Sequence, residues 1–297
     1  SLDLRRALMP IIDSHLHLFR AVSESYPRTV YPGLAEGDCD VPAEKLIALM
    51  ESTGVDKAIV VPLGPEDHYL AEIIEQYPGQ FAGVGVYDGS APDQAKSLDD
   101  RIRKSNIQGI RIGEVDANPD TPDDPHQFSM FPLFEAMAER NLRVWFYADS
   151  SQVQLLEKVL DVLPELIVVF NHCGFMVSLT NLAIDQYRRP HFTAEIPPPT
   201  LDLLGRLADR PNTYIHFSGQ YAFSHDPYPY ADMLPVADFI YNNFGPNRML
   251  WASDFPWIVD QPGYAEQLAL VDHLLPNLTQ TERQQITGGT AASLFDF

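Results

Sequence analysis

Eight short apolar runs alternate with amphipathic segments along the 297 residues of this chain, and that alternation limits its fold more than any other feature. The runs cover residues 11–12, 58–61, 81–86, 107–112, 144–147, 166–170, 214–217 and 249–251. They are too short for buried helices and rich in β-branched and aromatic side chains, as strands buried on both faces are. Helices are expected over residues 42–52, where Leu46, Leu49 and Met50 share a face, and over 69–76, 93–104, 131–140, 152–163, 201–208, 231–243 and 264–275. One more, 281–294, is expected to break near Gly288–Gly289. Eight strand–helix pairs predict an α/β fold, a (β/α)8 TIM barrel formed as one domain over residues 1–297. An open doubly wound sheet is the alternative; the first run lacks the Gly-rich phosphate loop of its dinucleotide-binding form.

The connections entering the runs are short, whereas several leaving them are long: residues 19–41, 113–130, 173–200, 220–230 and 255–263. In a barrel these emerge together at the C-terminal face, where such enzymes place their chemistry. They are rich in Pro, Tyr, Phe and His, which suits a lid and a pocket wall.

The formal net charge of -21 repels phosphate backbones and anionic membranes, so neither nucleic acid nor a membrane is an expected partner. Two cysteines, Cys39 and Cys173, make no disulfide framework and fit a reducing cytosol. Residues 1–9 carry Arg5 and Arg6 but no apolar core of signal-peptide length, so a cytoplasmic chain is expected.

Four places can carry chemistry. Asp13-Ser14-His15-Leu16-His17 ends the first run, and regular strand alternation points Asp13, His15 and His17 into the lumen. Two imidazoles there can bind a metal or polarise a carbonyl. Asp254 follows the last run and can ligate a metal or deprotonate water, although a capping role is as ordinary for such an aspartate. His172 ends the sixth run, on one face with Val168 and Phe170; Cys173 beside it has no base to make it a nucleophile. Arg111, among apolar residues in the fourth run, needs an anion, from substrate or from a neighbouring side chain. All four sites fall at one end of the barrel. His216 and Ser218 share the lumen-facing parity of the seventh strand, with His216 deeper, while His68, His126, His191, His225 and His273 fall in surface positions.

Together Ile12-Asp13-Ser14-His15-Leu16-His17, Gly109-Ile110-Arg111, Asn171-His172-Cys173-Gly174, Phe217-Ser218-Gly219 and Leu250-Trp251-Ala252-Ser253-Asp254-Phe255-Pro256 resemble the amidohydrolase-related group of the amidohydrolase superfamily. The likeness is greatest to its lactonase subgroup, that of sugar lactonases and 2-pyrone-4,6-dicarboxylate lactonase. The resemblance implies His15, His17 and Asp254 as ligands of a divalent metal such as zinc, with His172 a further one. Tyr147 stands where the fully metallated pattern has a strand-five histidine, and Arg111 stands where it has a bridging lysine. The ion is therefore expected to be weakly held or absent.

The expected activity is hydrolysis of a lactone or similar cyclic ester. Asp254 would activate water, His172, His15 and His17 would polarise the carbonyl, Arg111 would hold an anionic group of a small-molecule substrate, and Tyr147 would donate from the wall. Tyr26, Tyr31, Tyr221, Tyr228 and Trp257 would shape the pocket. A zinc-dependent decarboxylase or hydratase, a non-catalytic binding barrel and a homo-oligomer are the other outcomes compatible with these residues.

Overall fold

The computed structural model describes residues 9–118 and 122–297, so Arg5, Arg6 and part of the 113–130 loop lie outside the described residues. Eight parallel strands run in sequence order around the sheet: β1 (Ile12–Leu16), β2 (Lys57–Val60), β3 (Phe81–Val86), β4 (Ile107–Ile112), β5 (Arg143–Phe146), β6 (Val168–Phe170), β7 (Thr213–Phe217) and β8 (Met249–Trp251). The helices between them are α1 (Ala43–Thr53), α2 (His68–Gln76), α3 (Gln94–Ser105), α4 (Phe131–Glu139), α5 (Ser150–Val162), α6 (Leu201–Ala208), α7 (Leu234–Phe244) and α8 (Tyr264–Leu274). This is the expected (β/α)8 barrel. Among the described residues no helix is long and apolar enough to cross a membrane.

Strand alternation sorts the apolar side chains into two layers. Val60, Ile110, Val144, Phe146, Val168 and Trp251 pack outward against the helices. Ile12, Ile59, Val84, Trp145, Val169 and Leu250 fill the lumen. The chain end joins that inner layer: Ala291, Leu294 and Phe295 plug the lumen, with the Phe295 ring 5.2 Å from Trp145. The last helical stretch, α9 (Gln280–Gln284) and α10 (Thr290–Leu294), is joined through a π-helical turn at Gln285–Gly289 and not broken at the glycines. A Cβ on Gly288 would meet the carbonyl oxygen of Pro10 at 1.6 Å, so glycine permits the helix to lie against the entry to β1.

The seam between β1 and β8 carries the most consequential detail. The Asp254 N–H donates to the His15 carbonyl at 3.0 Å, and the His17 N–H to the Phe255 carbonyl at 2.8 Å. Beneath them the Asp13 carboxylate accepts from the Ser253 N–H at 2.8 Å, from the Ser253 hydroxyl, and from the Tyr264 hydroxyl of α8 at 2.9 Å. Asp13 thus points at the helix layer, not into the lumen as regular alternation predicts. The cause is an irregularity in register. Asp13 pairs with Ala58 and Leu16 with Val60, so β1 spends three residues where β2 spends two. The extra residue keeps Ile12 inward, sends Asp13 and Leu16 outward, and returns His15 and His17 to the lumen.

Asp13→Asn replaces an acceptor with an amide N–H that faces donors. We expect a stability loss of about 2–4 kcal/mol, read as a lower denaturant midpoint at unchanged slope. An unchanged midpoint would show that this carboxylate does not hold the seam.

Candidate active site

A column of rings rises along the barrel axis from the Phe295 plug. Trp145 comes first, on β5, its indole N–H donating to His15 Nδ1 at 3.1 Å. His15 and His216 lie above it, with ring centroids 5.4 Å apart. His17 and His172 follow, 5.0 and 5.1 Å from His15. Asp254 closes the column: its Oδ1 lies 3.7 Å from His15 Nε2 and 3.5 Å from His17 Nε2. His15, His17, His172 and Asp254 are all buried, so residues separated by up to 239 positions meet at one spot at the C-terminal end of the barrel.

His172 does not arrive by the alternation of β6. Val168 and Phe170 face the helices, and continued alternation would have put His172 with them. Instead β6 ends at Phe170, and positive φ values at His172 (49°) and Cys173 (55°) turn the imidazole over the lumen. Asp254 likewise has φ 60°. Such left-handed non-glycine backbone costs about 1–3 kcal/mol each and gathers at functional sites. Gly219 makes room for the turn, because a Cβ there would lie 2.7 Å from His172 Nδ1. Cys173 is buried, its thiol pushed up to about 12 by burial and bonded to the Ser218 carbonyl, which leaves it unreactive.

The hydrogen bonds define how each side chain is presented. His17 Nδ1 donates to the Val61 carbonyl at 2.9 Å, so Nε2 is the nitrogen turned toward Asp254 and, in the neutral ring, is the one with a lone pair. Because His15 Nδ1 accepts from Trp145, the proton of the neutral ring sits on Nε2. Ser218 Oγ lies 3.1 Å from His172 Nδ1. Asn171, pointing inward from the end of β6, accepts from Arg111 Nε at 3.2 Å and lies 3.0 Å from His216 Nδ1. Tyr221 donates to Asp254 Oδ2 at 2.5 Å. Arg111 stacks over Tyr147 at 5.5 Å, and Tyr147 lies 4.9 Å from His172. Among the described residues no carboxylate lies within 4.0 Å of the Arg111 guanidinium, so no neighbouring acidic side chain there supplies its anion.

Burial holds His15 well below the ordinary imidazole range, aided by Arg111, and lowers His172 to about 4. Burial also pulls the Asp254 carboxyl upward, but His172, His17 and the Tyr221 hydroxyl outweigh it and hold the group below its ordinary value. At neutral pH the site therefore presents an ionised carboxylate beside the neutral imidazoles of His15 and His172.

A cavity of about 210 Å³ opens above Asp254 and His172. Tyr31, Tyr221 and Trp257 line it as expected, whereas Tyr26 donates to Glu72 at the surface and Tyr228 donates to the Glu266 carbonyl. The loop after β6 folds over the cavity as a small ribbon, Ala183–Ile184 pairing with Pro190–His191. Trp145, Asn171 and the bonding role of Tyr221 had no part in the site expected from the sequence. Trp145 reads there as core, and only its inward parity beside Tyr147 hinted at more.

One donor atom each from His15, His17 and Asp254 lies within 4.8 Å of the others, a buried group with the geometry to hold a metal ion. Asp254 Oδ1 and His15 Nε2 are buried without hydrogen-bond partners, and His17 has the carbonyl-anchored Nδ1 usual for a ligand. His15 fits only at a cost, because ligation through Nε2 moves its proton to Nδ1, against the indole N–H. Trp145→Phe removes that conflict. Zinc should then bind about five- to tenfold more tightly in a chelator competition. Equal or weaker binding would show that the indole does not set the protonation of His15.

The sequence profile of the amidohydrolase family matches residues 12–297. The 4-sulfomuconolactone hydrolase of Rhizobium radiobacter is 23% identical over 250 residues, covering 82% of this chain and 75% of that one. The L-fucono-1,5-lactonase of Burkholderia ambifaria is 23% identical over 254 residues, covering 82% and 80%. The solved structure of a candidate 2-pyrone-4,6-dicarboxylic acid hydrolase from Pseudomonas putida superposes with a TM-score of 0.73 at 22% identity, covering 96% of this chain and 97% of that one.

Proposed function

The chain belongs to the amidohydrolase family, and from that premise we propose that it hydrolyses a lactone or related cyclic ester with Asp254 as the base. The observation that carries this reading is Asp254 Oδ1, a buried carboxylate oxygen with no hydrogen-bond partner, facing the Nε2 atoms of His15 and His17 beneath an apolar cavity. The two similar proteins from Rhizobium radiobacter and Burkholderia ambifaria, both named for lactone hydrolysis, support it.

In this mechanism one water sits over the carboxylate. Its two protons meet two acceptors, Asp254 Oδ1 and His17 Nε2, which aims an oxygen lone pair at the substrate carbonyl. Asp254 takes one proton as the water oxygen bonds to the carbonyl carbon. The His15 Nε2–H, with His172, faces the charge that develops on the carbonyl oxygen. The ring C–O bond then breaks, and the proton on Asp254 passes to the departing ring oxygen. Tyr221 keeps the Asp254 carboxylate oriented. Arg111 binds an anionic group on the substrate, and Tyr147 donates a hydrogen bond beside it. A divalent ion held by His15, His17 and Asp254 would supply Lewis acidity to the same carbonyl or water.

Asp254→Asn should reduce kcat on the best lactone by about 10³-fold while leaving the melting transition intact. Near-normal turnover would remove Asp254 as the base. The pH profile gives a second check. His172 is held at about 4 by burial, so its protonation sets in only as pH falls through that value. Asp254 is held below its ordinary value and stays ionised to still lower pH. Thus kcat/KM should be flat from about pH 6 to 8 and lost on an acid limb near pH 4. A limb near 6.5, the ordinary histidine value, would contradict the buried neutral imidazoles.

A further inference from the structure

We infer that the substrate of this site is a lactone with one anionic group and an otherwise apolar body, and neither a polyhydroxylated sugar lactone nor a dicarboxylated one. The inference rests on the lactonase reading for the reacting bond, but its own basis is the chemistry of the cavity wall.

Above the reacting groups the wall is built from Leu34, Leu63, Ile112, Leu182, Phe192 and Trp257, contributed by five of the long loops and strand ends. None of the five apart from Trp257 has a side-chain polar atom. The polar groups that do reach the cavity are mostly engaged. The Tyr31 hydroxyl donates to the Leu63 carbonyl at 3.0 Å, and the Tyr221 hydroxyl to Asp254. His17 has its Nδ1 on the Val61 carbonyl and its Nε2 turned to Asp254. Apart from His172 and Asp254, this leaves the Arg111 guanidinium, with only Nε bonded to Asn171 and its plane over Tyr147, the Tyr147 hydroxyl and the Trp257 indole N–H. Arg111 is the one cationic lining residue among those described.

This inventory discriminates between substrate classes. Each ring hydroxyl of a sugar lactone set against the aliphatic part of this wall gives up its water partners and finds none there, a penalty of about tenfold in affinity or more per group, and the Tyr147 hydroxyl and Trp257 N–H can meet two of them at most. A second carboxylate has no second cation to meet. An alkyl or aryl substituent, in contrast, gains by leaving water, and a single carboxylate or sulfonate gains a forked partner in Arg111. The small apolar cavity and its lone guanidinium thus select for one charge and against a polyhydroxylated ring.

The test compares kcat/KM on three size-matched lactones: a monocarboxylated aryl or alkyl enol lactone, an aldono-1,5-lactone and a dicarboxylated 2-pyrone. The same compounds and their ring-opened acids are also assayed by thermal shift on the Asp254→Asn protein. The monocarboxylated apolar lactone should lead each of the others by at least about 100-fold. Arg111→Met should remove most of that lead, and Leu182→Ser, on the ribbon loop, should narrow the gap to the sugar lactone by about tenfold. Comparable turnover of the aldonolactone or the dicarboxylate would overturn the inference while leaving the lactonase reading in place. No turnover of any lactone, with Arg111-dependent stabilisation by the apolar monocarboxylate alone, would overturn the lactonase reading and support the ligand class. Equal stabilisation by all three ligands would overturn the ligand class whatever the turnover.

Discussion

The seam where the first and last strands meet governs the rest of this molecule. A barrel must close somewhere, and here the closing bonds are made by the same residues that carry the candidate chemistry. The Asp254 N–H bonds to the His15 carbonyl and the His17 N–H to the Phe255 carbonyl, with Asp13 clamping Ser253 to the helix layer from behind. Closure and site assembly are therefore one event. The carboxylate and two imidazoles cannot drift apart without opening the barrel, so closure preorganises the groups proposed to act on one water.

The lumen below serves the same end. Phe295, Trp145 and His216 fill it under His15, leaving no space for the imidazole to retreat. The column is buried, and burial keeps the imidazoles of His15 and His172 neutral, so the ionised Asp254 is a basic group of the site at neutral pH. Trp145 has a double part: it is core packing on one face and, through its indole N–H, decides which nitrogen of His15 carries the proton. That choice makes His15 a donor toward the reacting atoms and at the same time an unwilling metal ligand. The competition between the two states is built into a hydrogen bond that looks purely structural.

Much of this arrangement was legible in the sequence because it depends on periodicity and order. Eight apolar runs of strand length became the eight strands, and the run ends bring His17, Arg111, Tyr147, His172 and Asp254 to one cavity, with His15 buried beneath it. What could not be read were departures from periodicity. The extra residue in β1 reverses Asp13 while preserving His15 and His17, so alternation predicted the right pair and the wrong third member. His172 reaches the lumen through left-handed backbone, which is not written in any alternation. Trp145, Asn171 and Tyr221 owe their roles to contacts with distant residues, and local pattern shows them only as core or loop. The expected break at Gly288–Gly289 was a turn that stays helical, the glycines serving a close approach to Pro10.

In the proposed mechanism Asp254 activates a water and does not itself attack the substrate. A single turnover of the monocarboxylated lactone in H₂¹⁸O, with excess enzyme, tests it directly. Water attack places ¹⁸O in the carboxylate of the first-turnover product and none in Asp254. Unlabelled product together with ¹⁸O in the Asp254 side chain would mean that the carboxylate attacks the carbonyl and forms an acyl anhydride, and would remove its role as a base.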